Sequence, residues 1–143
     1  ANDIRCENVV GIDGSEDMIL KAQKKDPGGK YHHALLPSWS PKEKYDFIHS
    51  MEFLYYLKEP LEMLKNFYNL WLNDDGIFIA GVDYYLENED SHSWPERLNV
   101  HMTKLSINDW KQGMLDAGFK DVEIHQVAAN ENFIGTLVMF GKK

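Results

Sequence analysis

Short apolar runs alternate along this chain with stretches whose apolar residues fall three and four apart, the signature of strands interleaved with helices. Asn8-Val-Val-Gly-Ile-Asp13 reads as a buried strand ending in an acid, and Ser15 as the N-cap of a helix with Met18, Ile19 and Ala22 on one face. Asp26-Pro-Gly-Gly29 breaks that helix. Tyr31–Leu36 is the next strand, with two histidines that weaken it, and Pro37–Lys44 is a loop. Tyr45-Asp-Phe-Ile-His49 is a third strand, after which Phe53, Leu54, Leu57, Leu61 and Leu64 follow helical spacing. The regular part of that helix spans about Pro60 to Leu72. Asn73-Asp74-Asp75-Gly76 makes a turn before the strand Ile77–Val82.

Asp83–His101 is polar and aromatic without periodicity, which predicts a long loop or lid with at most a short helical turn. Ser106 then caps a helix over Asn108–Ala117, with Trp110, Met114 and Leu115 facing inward and Gly118 ending it. Val122–Val127 and Phe133–Phe140 suit an antiparallel pair. The order gives an α/β fold, a Rossmann-like sheet closed by a C-terminal antiparallel hairpin with one reversed strand. A parallel strand that stops at His49-Ser50 and passes to a helix places those residues at the carboxyl edge of the sheet, where open α/β folds bind ligands.

Composition narrows the function. At 143 residues with 43% hydrophobic content the chain supports one domain with a core. No apolar run reaches the roughly eighteen residues of a membrane span, and the start lacks the basic and apolar regions of a signal peptide. Cys6 is the single cysteine, which excludes a disulfide framework and a cysteine zinc site and suits a reduced, cytoplasmic setting. The net charge of −8 argues against nucleic-acid binding. His32, His33, His92, His101 and His125 show no metal-ligand spacing with acids, so no metal site is expected.

Tyr45–Leu57 with the turn Asn73–Gly76 resembles the fourth strand and the entry to the fifth strand of class I S-adenosylmethionine-dependent methyltransferases. Gly11-Ile-Asp-Gly-Ser15 followed by Met18 is similar to the family's second-strand segment. The resemblance implies that Asp13 takes the two ribose hydroxyls of the cofactor, with Gly14 and Met18 beside it. Asp13 acting only as a helix cap is the other reading. Leu35 and Leu36 fall where the family flanks the adenine, although many members carry an acid there and this chain has Ala34-Leu-Leu-Pro37. His49, Ser50 and Met51 would lie beside the methionine part of S-adenosylmethionine, with core packing the alternative for Met51. The family's Gly-rich turn has no counterpart, because no G-x-G occurs and only twelve residues precede Asp13. A strand, its glycine turn and a helix need about thirty residues. The resemblance therefore implies a single methyltransferase domain over residues 1–143, N-terminally truncated, whose missing central strand leaves two unpaired sheet edges.

His49-Ser-Met-Glu-Phe-Leu-Tyr-Tyr-Leu57 is similar to a segment of histamine N-methyltransferases, in which a Gln and two tyrosines line the amine pocket. The matching positions are Glu52, Tyr55 and Tyr56, with an acid in place of Gln. The resemblance implies transfer of a methyl group to a small-molecule acceptor, an amine nitrogen, with Glu52 holding the cation or accepting its proton. Tyr84 and Trp94 are candidates to close over that substrate. A helix-start carboxylate favoured by the dipole, with Tyr55 and Tyr56 in the core, is the structural alternative. Two other functions compete: a non-catalytic, degenerate methyltransferase-like domain acting through protein contacts, and a nicotinamide-dependent oxidoreductase. The C-terminal hairpin and the absence of a Tyr-x-x-x-Lys pair disfavour the second.

Overall fold

The computed structural model describes residues 8–143; Cys6 lies outside the described residues. It resolves into two compact units, Ala1–Ser40 and Pro41–Lys143.

In the first unit, strands β1 (Val10–Asp13) and β2 (Lys30–His33) pair in parallel, Asp13 opposite His33, with helix α1 (Glu16–Lys25) between them in sequence. Ser15 caps α1 as expected, its hydroxyl accepting from the Met18 N–H at 3.4 Å. Glu16 and Asp17 in the first turn and Lys24 and Lys25 in the last complement the helix dipole. Of the three residues expected to face inward only Ile19 is buried, and Met18 is 50% exposed. Strand β2 stops at His33, short of the predicted Leu36, because two exposed histidines give it no apolar face to bury.

In the second unit, β3 (Tyr45–Met51), β4 (Leu72–Val82), β5 (Lys120–Val127) and β6 (Thr136–Lys142) form one sheet in the order β3-β4-β6-β5. Strands β3 and β4 are parallel, and β6 runs antiparallel to both β4 and β5. This is the α/β sheet with a reversed strand that the sequence predicts. Among the described residues β1 pairs only with β2, and β3 only with β4.

Four elements differ from expectation. Leu72 already pairs with Tyr45, so β4 begins before the turn; Asn73–Gly76 loops out of the ladder, with Asp75 at φ +64°. The Asn73 amide anchors that loop by donating to Asp46 Oδ1 at 2.9 Å. The predicted long helix is split into a single tight turn at Leu54–Tyr56, helix α2 (Pro60–Asn66) and a widened π turn over Phe67–Trp71. Proline at the first helical position fixes where α2 starts. The stretch Asp83–His101 is not an open lid. It holds a short turn (Glu89–Ser91) and helix α3 (Trp94–Leu98), with Tyr84, Tyr85, Asn88 and Ser91 all buried. The Tyr85 hydroxyl donates to the Gly135 carbonyl at 2.8 Å and fastens the stretch to the β5–β6 connection. Strand β6 starts at Thr136 rather than Phe133, because Asn130 and Phe133 close a turn of their own, braced by the Asn132 N–H on Asn130 Oδ1.

Helix α4 (Ile107–Ala117) carries the predicted cap in full: Ser106 and Asp109 exchange hydrogen bonds in a capping box, and Gly118 ends the helix at φ +107°. Trp110 and Met114 are buried as predicted, whereas Leu115 is 46% exposed. Phe67, Phe78 and Phe119 stack through the core at ring separations of 5.3 Å.

Candidate functional site

Two adjacent parallel strands end side by side in the second unit. Met51, the last residue of β3, pairs with Gly81 near the end of β4, so Glu52 and Asp83 leave the sheet at neighbouring places on its carboxyl edge. Glu52 sits in the left-handed region at φ +50°, and its N–H donates to the Gly81 carbonyl at 2.9 Å. A glutamate rarely adopts that conformation, which costs about 1 kcal/mol or more and turns the side chain away from the strand direction.

One carboxylate oxygen, Glu52 Oε2, accepts the Tyr55 hydroxyl at 2.8 Å. The other, Oε1, is buried without a hydrogen-bond partner, and so is Asp83 Oδ1. Burial pushes the Glu52 carboxyl up to about 7, and the nearby Asp83 charge adds to the rise; the Tyr55 hydroxyl and the Asp83 backbone N–H act against it. Burial and the same carboxylate hold the Tyr55 hydroxyl protonated far above its ordinary range, so it remains a donor.

Aromatic rings line the cluster. The Tyr55 ring lies 4.6 Å from that of Tyr56 and 5.7 Å from that of Tyr84. Tyr55 and Tyr84 are buried, while Tyr56 is 43% exposed and forms the open side. Thr103 fixes the segment: its N–H donates to the Tyr55 carbonyl at 2.8 Å and its hydroxyl to the Leu57 carbonyl at 2.7 Å. On the far side, the Asn88 amide donates to the Asp83 carbonyl at 2.7 Å and fixes the chain as it leaves β4. Of the predicted acceptor residues, Glu52, Tyr55, Tyr56 and Tyr84 are thus brought together. Trp94, half-buried on α3, makes no ring contact with them among the described residues.

His49, Ser50 and Met51 occupy the last turns of β3. Met51 is 46% exposed rather than packed in the core, and its side chain covers Gly81, where an added Cβ would fall 2.5 Å from Met51 Cε. His49 is exposed and stacks on Phe47.

In the first unit, Asp13 ends β1 with its side chain exposed. Its Oδ1 accepts the Ser15 N–H at 2.7 Å, so Asp13 shapes the turn and Ser15, not Asp13, caps α1. Gly14 follows, with Leu35 Cδ2 where a Cβ would be crowded at 2.9 Å. Leu35 is 69% exposed and Leu36 half-buried. An exposed strand-end carboxylate beside the exposed apolar side chains of Met18 and Leu35 suits a ligand with a polar sugar and a flat ring.

Asp83 and Thr103 contribute to the site beyond the residues singled out in the sequence. For Asp83 the signal was available, since it directly follows a buried run at the carboxyl edge of the sheet. For Thr103 nothing local marks the contacts with Tyr55 and Leu57, which span 48 and 46 residues of chain.

Comparison with known proteins bears on the family and the fold. The model of a methyltransferase domain family matches residues 1–124. A chain from the complex of the Haloferax volcanii Trm112 methyltransferase activator with a presumed methyltransferase is 25% identical, with a TM-score of 0.80, over 93% of this chain and 70% of that one. The N-methyltransferase NodS of Bradyrhizobium japonicum, solved with S-adenosyl-L-homocysteine, is 16% identical, with a TM-score of 0.72, over 96% and 67% of the two chains. A Thermotoga maritima S-adenosylmethionine-dependent enzyme, described as a possible histamine N-methyltransferase, is 20% identical, with a TM-score of 0.71, over 94% and 72%. None of the curated proteins matches the chain.

Proposed function

The chain belongs to the methyltransferase-domain family, and from that premise we propose that it transfers a methyl group from S-adenosylmethionine to the nitrogen of a small amine. The observation that carries the acceptor assignment is the half-buried Glu52 carboxylate, one oxygen held by Tyr55 and the other unpartnered, set among three tyrosine rings.

Taken by itself, the first unit offers residues that fit the adenosine part of the cofactor. Asp13 offers a carboxylate to vicinal ribose hydroxyls, and Gly14, Met18, Leu35 and Leu36 offer close approach and apolar cover to the adenine. In the second unit, His49, Ser50 and Met51 are proposed for the methionine half on the family resemblance alone. When bound, S-adenosylmethionine supplies an electrophilic methyl group on a sulfonium.

The acceptor side follows from charge. An ammonium entering past Tyr56 meets a carboxylate and the faces of Tyr55 and Tyr84, whose cation–π attraction is worth about 0.5–2 kcal/mol per contact. The amine must shed a proton before its lone pair can react. Glu52, raised to about 7, is about half ionised at neutral pH, and its ionised form is basic enough to take that proton. Tyr55 and the Thr103 ties fix the carboxylate in place, and fixed geometry is the larger part of catalysis for a displacement of this kind.

The N-methyltransferase and the histamine-type enzyme among the similar folds support an amine acceptor, whereas the activator complex supports a protein partner as a second association. No helix among the described residues is long and apolar enough to cross a membrane. A cytoplasmic setting, one domain across both units and no nucleic-acid partner complete the proposal, supported by the lone Cys6, the span of the family match and the −8 charge.

The test is turnover with labelled S-adenosylmethionine and a panel of small primary amines, alcohols and carboxylic acids. Methylated amine is the expected product, and Glu52→Gln should lower kcat/KM by about 30-fold or more, the loss of a general base. Methylation of alcohols or acids but no amine would overturn the acceptor assignment. Cofactor binding without any turnover would favour the non-catalytic reading.

A further inference from the structure

Two buried carboxylate oxygens in this site lack a donor, Glu52 Oε1 and Asp83 Oδ1, and they belong to residues that leave neighbouring strands at the same edge. Buried acceptors without partners are costly, and two of them on interacting residues at one sheet edge call for more than one N–H from the ligand. We propose that Asp83 is a specificity-determining residue of the acceptor site, and that the acceptor is an ammonium bearing at least two N–H groups, one for each carboxylate. The inference rests on the amine reading above and deepens it.

The surroundings assign the two acids different parts. Glu52 Oε2 is already taken by Tyr55, which leaves one oxygen of that carboxylate for the ligand. No hydrogen bond from a described side chain reaches the Asp83 carboxylate; the Asp83 carbonyl accepts from the Asn88 amide. No Lys or Arg makes an ion pair with either acid among the described residues. A primary or secondary ammonium supplies what is missing: positive charge, and two or three donors from a single atom. A tertiary ammonium has one N–H and would leave one acid orphaned, and a quaternary ammonium has none. An alcohol would bring one donor and no charge. In the reaction one ammonium N–H bond breaks and its proton passes to Glu52; the freed lone pair forms the bond to the methyl carbon as the carbon–sulfur bond breaks, its electron pair going to sulfur. The product nitrogen then carries the charge, and Glu52 returns its proton to solvent. Asp83 holds a remaining N–H, which makes it a positioning group for the lone pair.

The experiment is calorimetric binding of 2-phenylethylamine and its N-methyl, N,N-dimethyl and N,N,N-trimethyl derivatives to the chain, with and without S-adenosylhomocysteine. Wild type, Glu52→Gln and Asp83→Asn are compared, with Asp83→Ser as a second variant should Asp83→Asn fold poorly by circular dichroism. The wild type should bind the first two members about tenfold or more tightly than the last two, the loss of a charged hydrogen bond at a buried acceptor. In the Asp83 variants that step should shrink to about threefold or less while all four affinities fall. Wild-type binding that is level across the series, or Asp83 variants that keep the wild-type step, would overturn the role of Asp83; if Glu52→Gln still abolished amine binding, the amine reading would stand without it. No binding of any amine by a folded wild type that does bind S-adenosylhomocysteine would overturn both.

Discussion

Glu52 is held in two unfavourable states at once, a left-handed backbone and a half-buried carboxylate, and both point to selection for something other than stability. The second has a measurable consequence. Its carboxyl is near 7 in the folded chain against an ordinary 4.5, so between those values the folded state binds the extra proton. Its contribution to stability is therefore complete below about 4.5 and is lost as pH rises through about 7. Discounted for its partial exposure, the effect is about 1–2 kcal/mol. Thermal unfolding from pH 4.5 to 8 should show it, and Glu52→Gln should flatten that part of the profile; an identical slope in the variant would place the titration elsewhere. At the other candidate subsite, Asp13→Ala should weaken S-adenosylhomocysteine binding by about 1.5–3 kcal/mol through loss of charged hydrogen bonds, read by calorimetry. Unchanged affinity would leave Asp13 as the turn former that its bond to Ser15 already makes it.

At the scale of elements, local chemistry and distant contacts divide the molecule. Ser15 and Ser106 announce α1 and α4 in the sequence because a capping hydroxyl satisfies orphan N–H groups within its own first turn. Ser106→Ala should accordingly cost about 1 kcal/mol and lower the melting temperature by several degrees, without moving the affinity for cofactor. The segment Asp83–His101 could not be read that way. Its order comes from Tyr85 reaching Gly135 and Gln126, and from the Thr103 bonds to Tyr55 and Leu57, none of which leaves a periodic trace. The same limit explains the broken helix after β3: the pattern Leu54, Leu57, Leu61, Leu64 records burial of each residue or its neighbours, but not the extended backbone at Leu57 and the fresh start at Pro60 that divide it.

Over the whole chain, the order of strands and helices was legible, because hydrophobic pattern marks strands and helices; Glu52, Tyr55 and Tyr56 were singled out through the family resemblance, and the structure brings these side chains together. Which acids share a sheet edge was less legible, since Asp83 joins Glu52 through strand pairing rather than through sequence. A ligand that binds only the folded chain stabilises it by mass action, about 2.7 kcal/mol at a hundred times its dissociation constant. Saturating S-adenosylhomocysteine should therefore raise the melting temperature by several degrees, whereas NADH at equal concentration should leave it unchanged; the reverse would revive the dinucleotide reading.

The position of β6 bears on how such a chain is made. It is the last strand in sequence, yet it lies inside the sheet, bonded to β4 on one flank and β5 on the other. On a ribosome, β4 and β5 emerge first and have no direct partner in each other. They wait with open ladders until residues 136–142 have also left the exit tunnel, so this sheet cannot close strand by strand as it is made, and the nascent chain exposes β-edges for as long as β6 is outstanding.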